Sequence, residues 1–350
     1  MTYQYERVIT PASGLRLHLN ENTAGCSPKV VEALQALTRT EAAFYPDYGQ
    51  AIDTCAAYLG VAPNQLLLTN GLDEGILAAS IAALRRGASD PQREAIVPVP
   101  AFYMYAACAD AAGGRVIEVP AGADFEFPRQ SILDAVTSRT GVIFLTTPGN
   151  PTGRRIPHQH IVSIATAAMQ AVIFVDEAYY DFCGETLIGS RDLLKLPNVV
   201  VGRTFAKAHG LAGLRIGALV GAPETLERIR RAVPPYSLNI CATVALCAAL
   251  QDRDYHSWYV EQAKASRQLL YDALDRLAVR HWKSDANFVL ADFGESAPRV
   301  VASLATRGVF VRDRSPDPQC RGCVRITAGV VEHTVAGIAA LEEVLCAVES

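Results

Sequence analysis

No stretch of this 350-residue sequence is long and apolar enough to span a bilayer. The longest apolar runs, such as Ala171 to Val175, fall far short of the roughly 20 residues a transmembrane helix needs. A basic excess is missing too. Thirty-two Lys and Arg face 36 Asp and Glu, and the net charge of −4 gives no field that would recruit nucleic acid or an anionic membrane. Residues Met1 to Arg7 include Glu6 and no apolar core, so no secretory signal is expected and the expected location is the cytoplasm. The nine cysteines are odd in number and scattered, which argues for reduced thiols rather than a disulfide framework. One C-x-x-C pair, Cys320-Arg321-Gly322-Cys323, has no second pair, and none of the seven histidines falls in an H-x-x-E-H pattern. No metal site is therefore expected. His158-Gln159-His160 follows Pro157 and reads as an exposed helix start. No G-x-G-x-x-G follows the first strand, which excludes a plain dinucleotide-binding protein, and no repeat or low-complexity segment occurs.

What is present is apolar content: 50% of residues are hydrophobic, enough for a large core in two domains. From about residue 64 to 221 short apolar runs alternate with amphipathic segments. Strands are expected at Leu66 to Thr69, Ala95 to Val99, Arg115 to Val119, Gly141 to Thr146, Ala171 to Asp176, Val199 to Arg203 and Arg215 to Val220. Strands this apolar, separated by helices, suit a mostly parallel sheet covered on both faces. A helix is expected over Asp73 to Arg86, with Ile76, Ala79, Ala83 and Leu84 inward and Gly87 as terminator. Beyond Pro234-Pro235-Tyr236 a long helix carries Val260, Ala263, Leu270, Leu274 and Leu277. Strands at Phe288 to Ala291, Val309 to Arg312 and Cys323 to Thr327 precede a last helix from about His333. The fold class expected is α/β, a large domain over residues 44–240 with a smaller α+β domain built from 1–43 and 241–350.

The polar residues gather where strands end, which is where open α/β sheets bind ligands. Lys207 follows an apolar strand in Arg203-Thr204-Phe205-Ala206-Lys207-Ala208-His209-Gly210-Leu211-Ala212-Gly213-Leu214-Arg215. A lysine among small apolar residues costs several kcal/mol unless it is paired or used covalently. A Schiff base to pyridoxal 5′-phosphate, with Arg215 on the phosphate, explains both residues. Asp176 ends the apolar run Val172-Ile173-Phe174-Val175, and a carboxylate there calls for a cation such as a protonated pyridine nitrogen. Tyr179 is within reach of the ring oxygen; the plain alternative is a helix cap with a core tyrosine. Asn70-Gly71-Leu72-Asp73 opens a helix whose free amides can hold a phosphate. Asn150 lies in Asn150-Pro151-Thr152-Gly153, which is also ordinary turn chemistry. Pro100-Ala101-Phe102-Tyr103-Met104-Tyr105 offers three aromatics, of which Phe102 is the expected ring-stacking residue.

Taken in order, these segments resemble the histidinol-phosphate aminotransferase family of fold type I pyridoxal-phosphate enzymes. The resemblance runs nearly end to end. It includes Leu19-Asn20-Glu21-Asn22, Tyr45-Pro46-Asp47, Gly71-Leu72-Asp73-Glu74, Asn150-Pro151-Thr152-Gly153, Asp176-Glu177-Ala178-Tyr179, the Lys207 segment, Ser284-Asp285-Ala286-Asn287-Phe288 and Val324-Arg325-Ile326-Thr327. It implies that Lys207 bonds covalently to the cofactor, Asp176 pairs with its ring nitrogen, and Asn150 and Tyr179 contact its hydroxyl. It further implies that Phe102 stacks on the ring while Leu72, Asp73, Thr204 and Arg215 hold the phosphate. Tyr45 would reach the phosphate of a neighbouring subunit, which makes the expected assembly a homodimer with shared sites. Arg325 would grip a substrate carboxylate through its fork, Arg312 a substrate phosphate, and Asn22 is a further candidate substrate contact.

The sequence departs from the family pattern at Ala206, where serine is usual, at Phe102 for tyrosine, at Thr147-Pro148-Gly149, and at Thr23 for proline. The expected reaction is ping-pong transfer from L-histidinol phosphate to 2-oxoglutarate, with the freed Lys207 amine as general base. An aromatic amino-acid donor and decarboxylation of phosphothreonine are alternatives on the same fold. A non-catalytic cofactor-binding regulator is a remote one, since such a protein has no need of both Lys207 and Asp176.

Overall fold

The structure is a computed structural model that describes residues 11, 13–85, 91–190 and 196–349, with side chains to residue 346. The chain begins with a short strand β1 (Leu15–Arg16) and helices α1 (Pro28–Gln35), α2 (Arg39–Ala43) and α3 (Gly49–Leu59). Seven strands then form the large sheet: β2 (Leu66–Thr69), β3 (Glu94–Val99), β4 (Arg115–Pro120), β5 (Thr140–Thr146), β6 (Val172–Asp176), β7 (Val199–Thr204) and β8 (Gly217–Gly221). Their spatial order is β2-β8-β7-β6-β5-β3-β4, and β8 alone runs against the rest. Helices α4 (Gly71–Leu84), α5 (Met104–Ala111), α6 (Arg129–Ala135), α7 (His158–Ala167) and α8 (Pro223–Arg230) fall between these strands or just after them.

The strands are apolar throughout because both faces of the sheet are covered. In β6, Ile173 and Val175 join a core with Cys55 of α3, Ile161 of α7 and Leu246 of the following helix, α9 (Ile240–Gln251). Val172 and Phe174 point the other way, to Ile76 of α4, Tyr105 of α5 and Ile229 of α8. One residue of register slip would exchange these two sets and bury neither well.

After α9 come α10 (Arg253–Arg276), β9 (Arg280–Trp282), β10 (Phe288–Asp292), α11 (Ala297–Thr306), β11 (Val309–Phe310), β12 (Arg312–Asp313), β13 (Cys323–Thr327) and α12 (Val331–Glu349). The second sheet is antiparallel, in the order β12-β13-β10-β9. The single strand expected over Val309 to Arg312 is two. Val309–Phe310 pairs with β1, and the chain then crosses at Val311 so that Arg312–Asp313 pairs with β13. Apolar alternation cannot reveal such a change of partner. Similarly, the strand expected from Arg215 begins at Gly217, because Arg215 takes a left-handed φ of 55°. The helix expected over Asp73 to Arg86 spans Gly71–Leu84, and its proposed terminator Gly87 lies outside the described residues, as do Met1 to Arg7. His158 does begin a helix, though it and His160 are half-buried, with His160 stacked on Phe127. Cys320 and Cys323 carry free thiols packed against Trp282 and Leu290. Among the described residues no helix is long and apolar enough to cross a membrane.

Candidate active site

The carboxyl ends of β2, β5, β6 and β7 face the second sheet across a cavity of about 230 Å³. Leu72, Asp73, Phe102, Asn150, Asp176, Tyr179, Thr204, Lys207, Arg215, Arg312 and Arg325 all line it. Residues separated by up to 253 positions in the sequence thus share one cavity: the ends of neighbouring parallel strands form one wall, and Arg312 and Arg325 of the second sheet stand on the other. Tyr105, Thr146 and Asn150 also line a broader neighbouring cleft of about 880 Å³.

Asp176 is the last residue of β6 and is 4% exposed. The Tyr105 hydroxyl donates to its Oδ2 at 2.6 Å and the Ala178 N–H to its Oδ1 at 2.8 Å. The Tyr105 hydroxyl in turn accepts from Thr146 at 2.9 Å. Burial pushes the Asp176 carboxyl up to about 6, against these two donors that hold it down. Burial and the adjacent carboxylate also raise the Tyr105 phenol well above its ordinary value, which keeps it a donor. Only neutral donors bond directly to this carboxylate, so it retains capacity for a cation.

Tyr179 is buried, and its hydroxyl accepts from Asn20 Nδ2 at 3.0 Å. Lys207 is half-buried; its ammonium donates to the Leu19 carbonyl at 3.0 Å and lies 5.9 Å from the Tyr179 ring centre. The turn bearing it closes at Gly210, with φ +73° and a position where a Cβ would stand 2.4 Å from the Gly25 carbonyl oxygen. Any side chain there would push the N-terminal segment off the lysine loop. At the opposite end Arg215 donates to Asp73 Oδ2 at 2.7 Å, and both side chains are nearly half exposed. Gly71 starts α4 with φ +70°, and its missing side chain leaves room for the Arg215 guanidinium, 2.7 Å from where a Cβ would sit. Thr204 accepts from the Ala206 N–H at 3.2 Å, and Ala206 itself lines the cavity.

Arg325 is 5% exposed and spans the two sheets, donating to Asn150 Oδ1 at 2.5 Å and to the His18 carbonyl at 2.7 Å. Its buried Nε has no partner. Burial, reinforced by the charges of Arg314 and Arg312, pulls its guanidinium down to about 9. Arg312 on β12 stands directly opposite Arg325 on β13. Arg314, two residues on, lines the same cavity and pairs with Asp317. Like charges placed opposite each other across a sheet are destabilising unless an anion comes between them.

Two expected residues lie elsewhere. Asn22 does not line the cavity: its amide donates to the Ala208 carbonyl at 2.9 Å and accepts from the Ala24 N–H at 3.0 Å, so its polar atoms are spent tying the N-terminal turn to the lysine loop. Asn20, two residues earlier in the same segment, reaches the cavity instead. Tyr45 is 78% exposed and stacks on Tyr236 with ring centres 4.3 Å apart, away from this chain's own cavity. Tyr105, Asn20 and Arg314 are site residues that sequence reading passed over. Tyr105 alone of the three aromatics pairs burial with a hydroxyl, and the alternate spacing of Arg312 and Arg314 in an extended segment puts them on one face.

A seven-stranded, mostly parallel sheet flanked by helices, with a lysine, a strand-end aspartate and a helix opening around one cavity, defines a fold type I aminotransferase architecture. The family model for class I and II aminotransferases matches residues 12–340. Curated histidinol-phosphate aminotransferases are similar over nearly the whole chain. That of Anoxybacillus flavithermus is 33% identical, covering 98% of this chain and 90% of its own length. That of Methanosarcina barkeri is 33% identical, covering 95% and 89%. Among solved structures, the Sinorhizobium meliloti histidinol-phosphate aminotransferase in complex with pyridoxal-5′-phosphate superposes with a TM-score of 0.86 at 26% identity, covering 96% of this chain and 91% of that one. The chain belongs to the class I and II aminotransferases and, within them, to the histidinol-phosphate aminotransferase family.

Proposed function

We propose that the protein transfers the amino group of L-histidinol phosphate, or of a similar anionic donor, to 2-oxoglutarate in a ping-pong cycle that depends on pyridoxal 5′-phosphate. The residues fit that cofactor. Asp176 is a buried carboxylate with only neutral donors bonded to it, Lys207 presents an amine to the same cavity, and Gly71 lets the Arg215 guanidinium lie against the start of α4. When bound, the cofactor supplies an electrophilic carbon and a protonated ring that accepts the electron pair released at the substrate Cα. Asp176 keeps the ring nitrogen protonated. Lys207 would hold the cofactor through Nζ, and its free amine would take and return the Cα proton. Asn150 and Tyr179 would contact the ring oxygen and Phe102 the ring, while Leu72, Asp73, Thr204 and Arg215 would hold the phosphate.

The observation that carries the choice of donor is the cross-strand pair Arg312 and Arg325, with Arg314 beside them. Three guanidinium groups on one wall favour substrates that bring their own anion, as phosphorylated donors and dicarboxylic acceptors both do. Exposed Phe44, Tyr45 and Tyr236 support a homodimer in which Tyr45 completes the partner's site. We also assign residues 44–240 to a large cofactor domain, 1–43 and 241–350 to a small one, and the protein to the cytoplasm.

The test is the spectral half-reaction of the loaded protein. L-Histidinol phosphate should convert it fastest, L-phenylalanine and phosphothreonine at least tenfold more slowly. Lys207→Ala should lose the visible absorbance band and all turnover. Equal rates for the three donors would remove the donor assignment, and normal turnover in Lys207→Ala would remove the mechanism.

A further inference from the structure

Behind the lysine loop lies a second cluster of polar side chains that the reaction above does not use. Asp181 sits in the turn after β6, two residues past Tyr179. His209 sits two residues past Lys207, and His256 lies in the first turn of α10. One ligand atom from each can be chosen such that all lie within 4.8 Å of one another, the one such group among the described residues. His256 Nε2 is 2.9 Å from Asp181 Oδ1, and the two imidazole rings are 4.5 Å apart, inclined at 32°. His209 is 4% exposed, yet neither of its ring nitrogens has a hydrogen-bond partner. It also meets the rings of Tyr58 and Phe205, with ring centres 5.7 and 5.3 Å away. A buried imidazole with both nitrogens idle is a costly use of a histidine where a phenylalanine would pack as well.

We propose that Asp181, His209 and His256 form a structural site for a divalent transition metal ion, zinc by preference. Two imidazoles and one carboxylate are a recurrent zinc donor set, with bonds of roughly 2.0–2.2 Å and a fourth position left to water or an anion. Ligands at such distances stand roughly 3.3–3.5 Å apart in a tetrahedron, so metal entry would spread His256 and Asp181 from 2.9 Å and draw His209 in from within 4.8 Å. Binding replaces the proton now shared between His256 Nε2 and Asp181 Oδ1. That proton moves to Nδ1 or to solvent, and the lone pairs of Nε2 and Oδ1 turn to the metal. The protonation states suit this. Burial drops His209 to about 4, so its ring is a neutral donor. Burial raises Asp181, but the His256 hydrogen bond, with the Arg203 charge behind it, holds the carboxyl below its ordinary value. The other charged and titratable neighbours are Arg203, Arg253, Tyr58 and Tyr180. Arg203 is already matched by Glu177 at 3.0 Å and lies over the Tyr180 ring, so it adds little repulsion. The three residues line neither the 230 Å³ cavity nor the broader cleft, which marks the site as structural rather than catalytic. A metal here would tie together the segments that carry Tyr179 and Lys207 and the start of α10. The sequence spacing of 181, 209 and 256 gives no motif, so only the fold brings the donors together.

The test equilibrates the full-length, cofactor-loaded protein with zinc, removes free metal by exhaustive dialysis, and measures bound zinc and its X-ray absorption spectrum. The expected result is one zinc per chain with a nitrogen and oxygen shell, retained when Cys320 and Cys323 are both changed to serine. His209→Phe and, as a second variant of a more exposed position, His256→Asn should each lose the zinc and the zinc-dependent rise in melting temperature. Both should melt in metal-free buffer close to the metal-free parent. The proposal is overturned if the parent keeps no stoichiometric zinc, if the shell contains sulfur, or if the folded histidine variants keep the metal.

Discussion

The two ends of the cavity hold their charges in opposite ways. At the Asp176 end the carboxylate is buried at the end of β6, at the floor of the cavity, and receives a 2.6 Å hydrogen bond from Tyr105 and a 2.8 Å bond from the Ala178 amide. At the Arg215 end a guanidinium and the Asp73 carboxylate, both nearly half exposed, meet at 2.7 Å in reach of solvent. The buried end is dry, so each contact there acts in a low dielectric and an unmatched charge is expensive. The open end is screened, and its ion pair contributes little to stability by itself, on the order of 0–1 kcal/mol. Chemistry that must control protonation belongs at the first, and anchoring that must permit loading and release belongs at the second.

The sharpest way to break this contrast is Asp176→Asn. On the proposed role it removes the charge that would keep the ring nitrogen protonated, and kcat of the loaded enzyme should fall by about 10² to 10³, the usual cost of losing one preorganised charge contact. Without cofactor the sign reverses. A carboxyl whose folded pKa is about 6, against an ordinary 3.8, binds its proton more tightly in the folded chain. Its contribution is therefore fully favourable below about pH 4 and is lost as the pH rises to 6. The whole change between those limits is up to roughly 3 kcal/mol, at 1.36 kcal/mol per pKa unit. Cofactor-free Asp176→Asn should consequently melt higher than the cofactor-free parent at pH 8, with the gap closing between pH 6 and 4. Thermal melts across that range decide it; a gap that widens toward low pH would contradict the burial argument.

Arg215→Ala addresses the open end and should be milder. On the proposed role the change removes one charged anchor of the phosphate, so cofactor affinity should drop about tenfold, the equivalent of roughly 1.4 kcal/mol. Because the group is exposed, the deficit should shrink as salt is raised, whereas that of Asp176→Asn should not. Titration of the cofactor-free variants with pyridoxal 5′-phosphate at two ionic strengths checks both halves. A salt-independent loss would mean that the Arg215 contact is as dry as that of Asp176.

Much of this was legible in the residues because parallel strands buried on both faces leave an unmistakable apolar run. β2 and β13 fall where the sequence puts them, and Asp176 and Lys207 are conspicuous as charges beside such runs. What stayed hidden was direction and partnership. Nothing local in Val309 to Arg312 marks the crossing at Val311 from one sheet to another, yet that crossing sets Arg312 opposite Arg325. Asn20 and Asn22 are equivalent on paper. Only the left-handed φ of 56° at Asn20 and the turn closed by Asn22 decide which amide faces Tyr179. Tyr105 was visible only as one aromatic of three, and its role depends on α5 packing on β3 and β4 so that the hydroxyl reaches the end of β6.

Ala206 offers the finest adjustment of the open end, and the smallest expected effect. It is buried to 8% exposure, lines the cavity between Thr204 and Lys207, and offers no side-chain donor where the family usually has serine. A serine there adds one hydroxyl at little steric cost. A hydrogen bond of that kind contributes about 1 kcal/mol net, which corresponds to roughly fivefold tighter retention of the cofactor. Lys207 and Asp176 are untouched by the change, so kcat at saturating cofactor should stay within about twofold. The slower loss of absorbance on dilution should appear without any change in donor preference, since the three arginines stand on the opposite wall. If Ala206→Ser instead altered the preference between phosphorylated and aromatic donors, the open end would be reading the substrate as well as holding the cofactor, and the division of labour between the two ends would need redrawing.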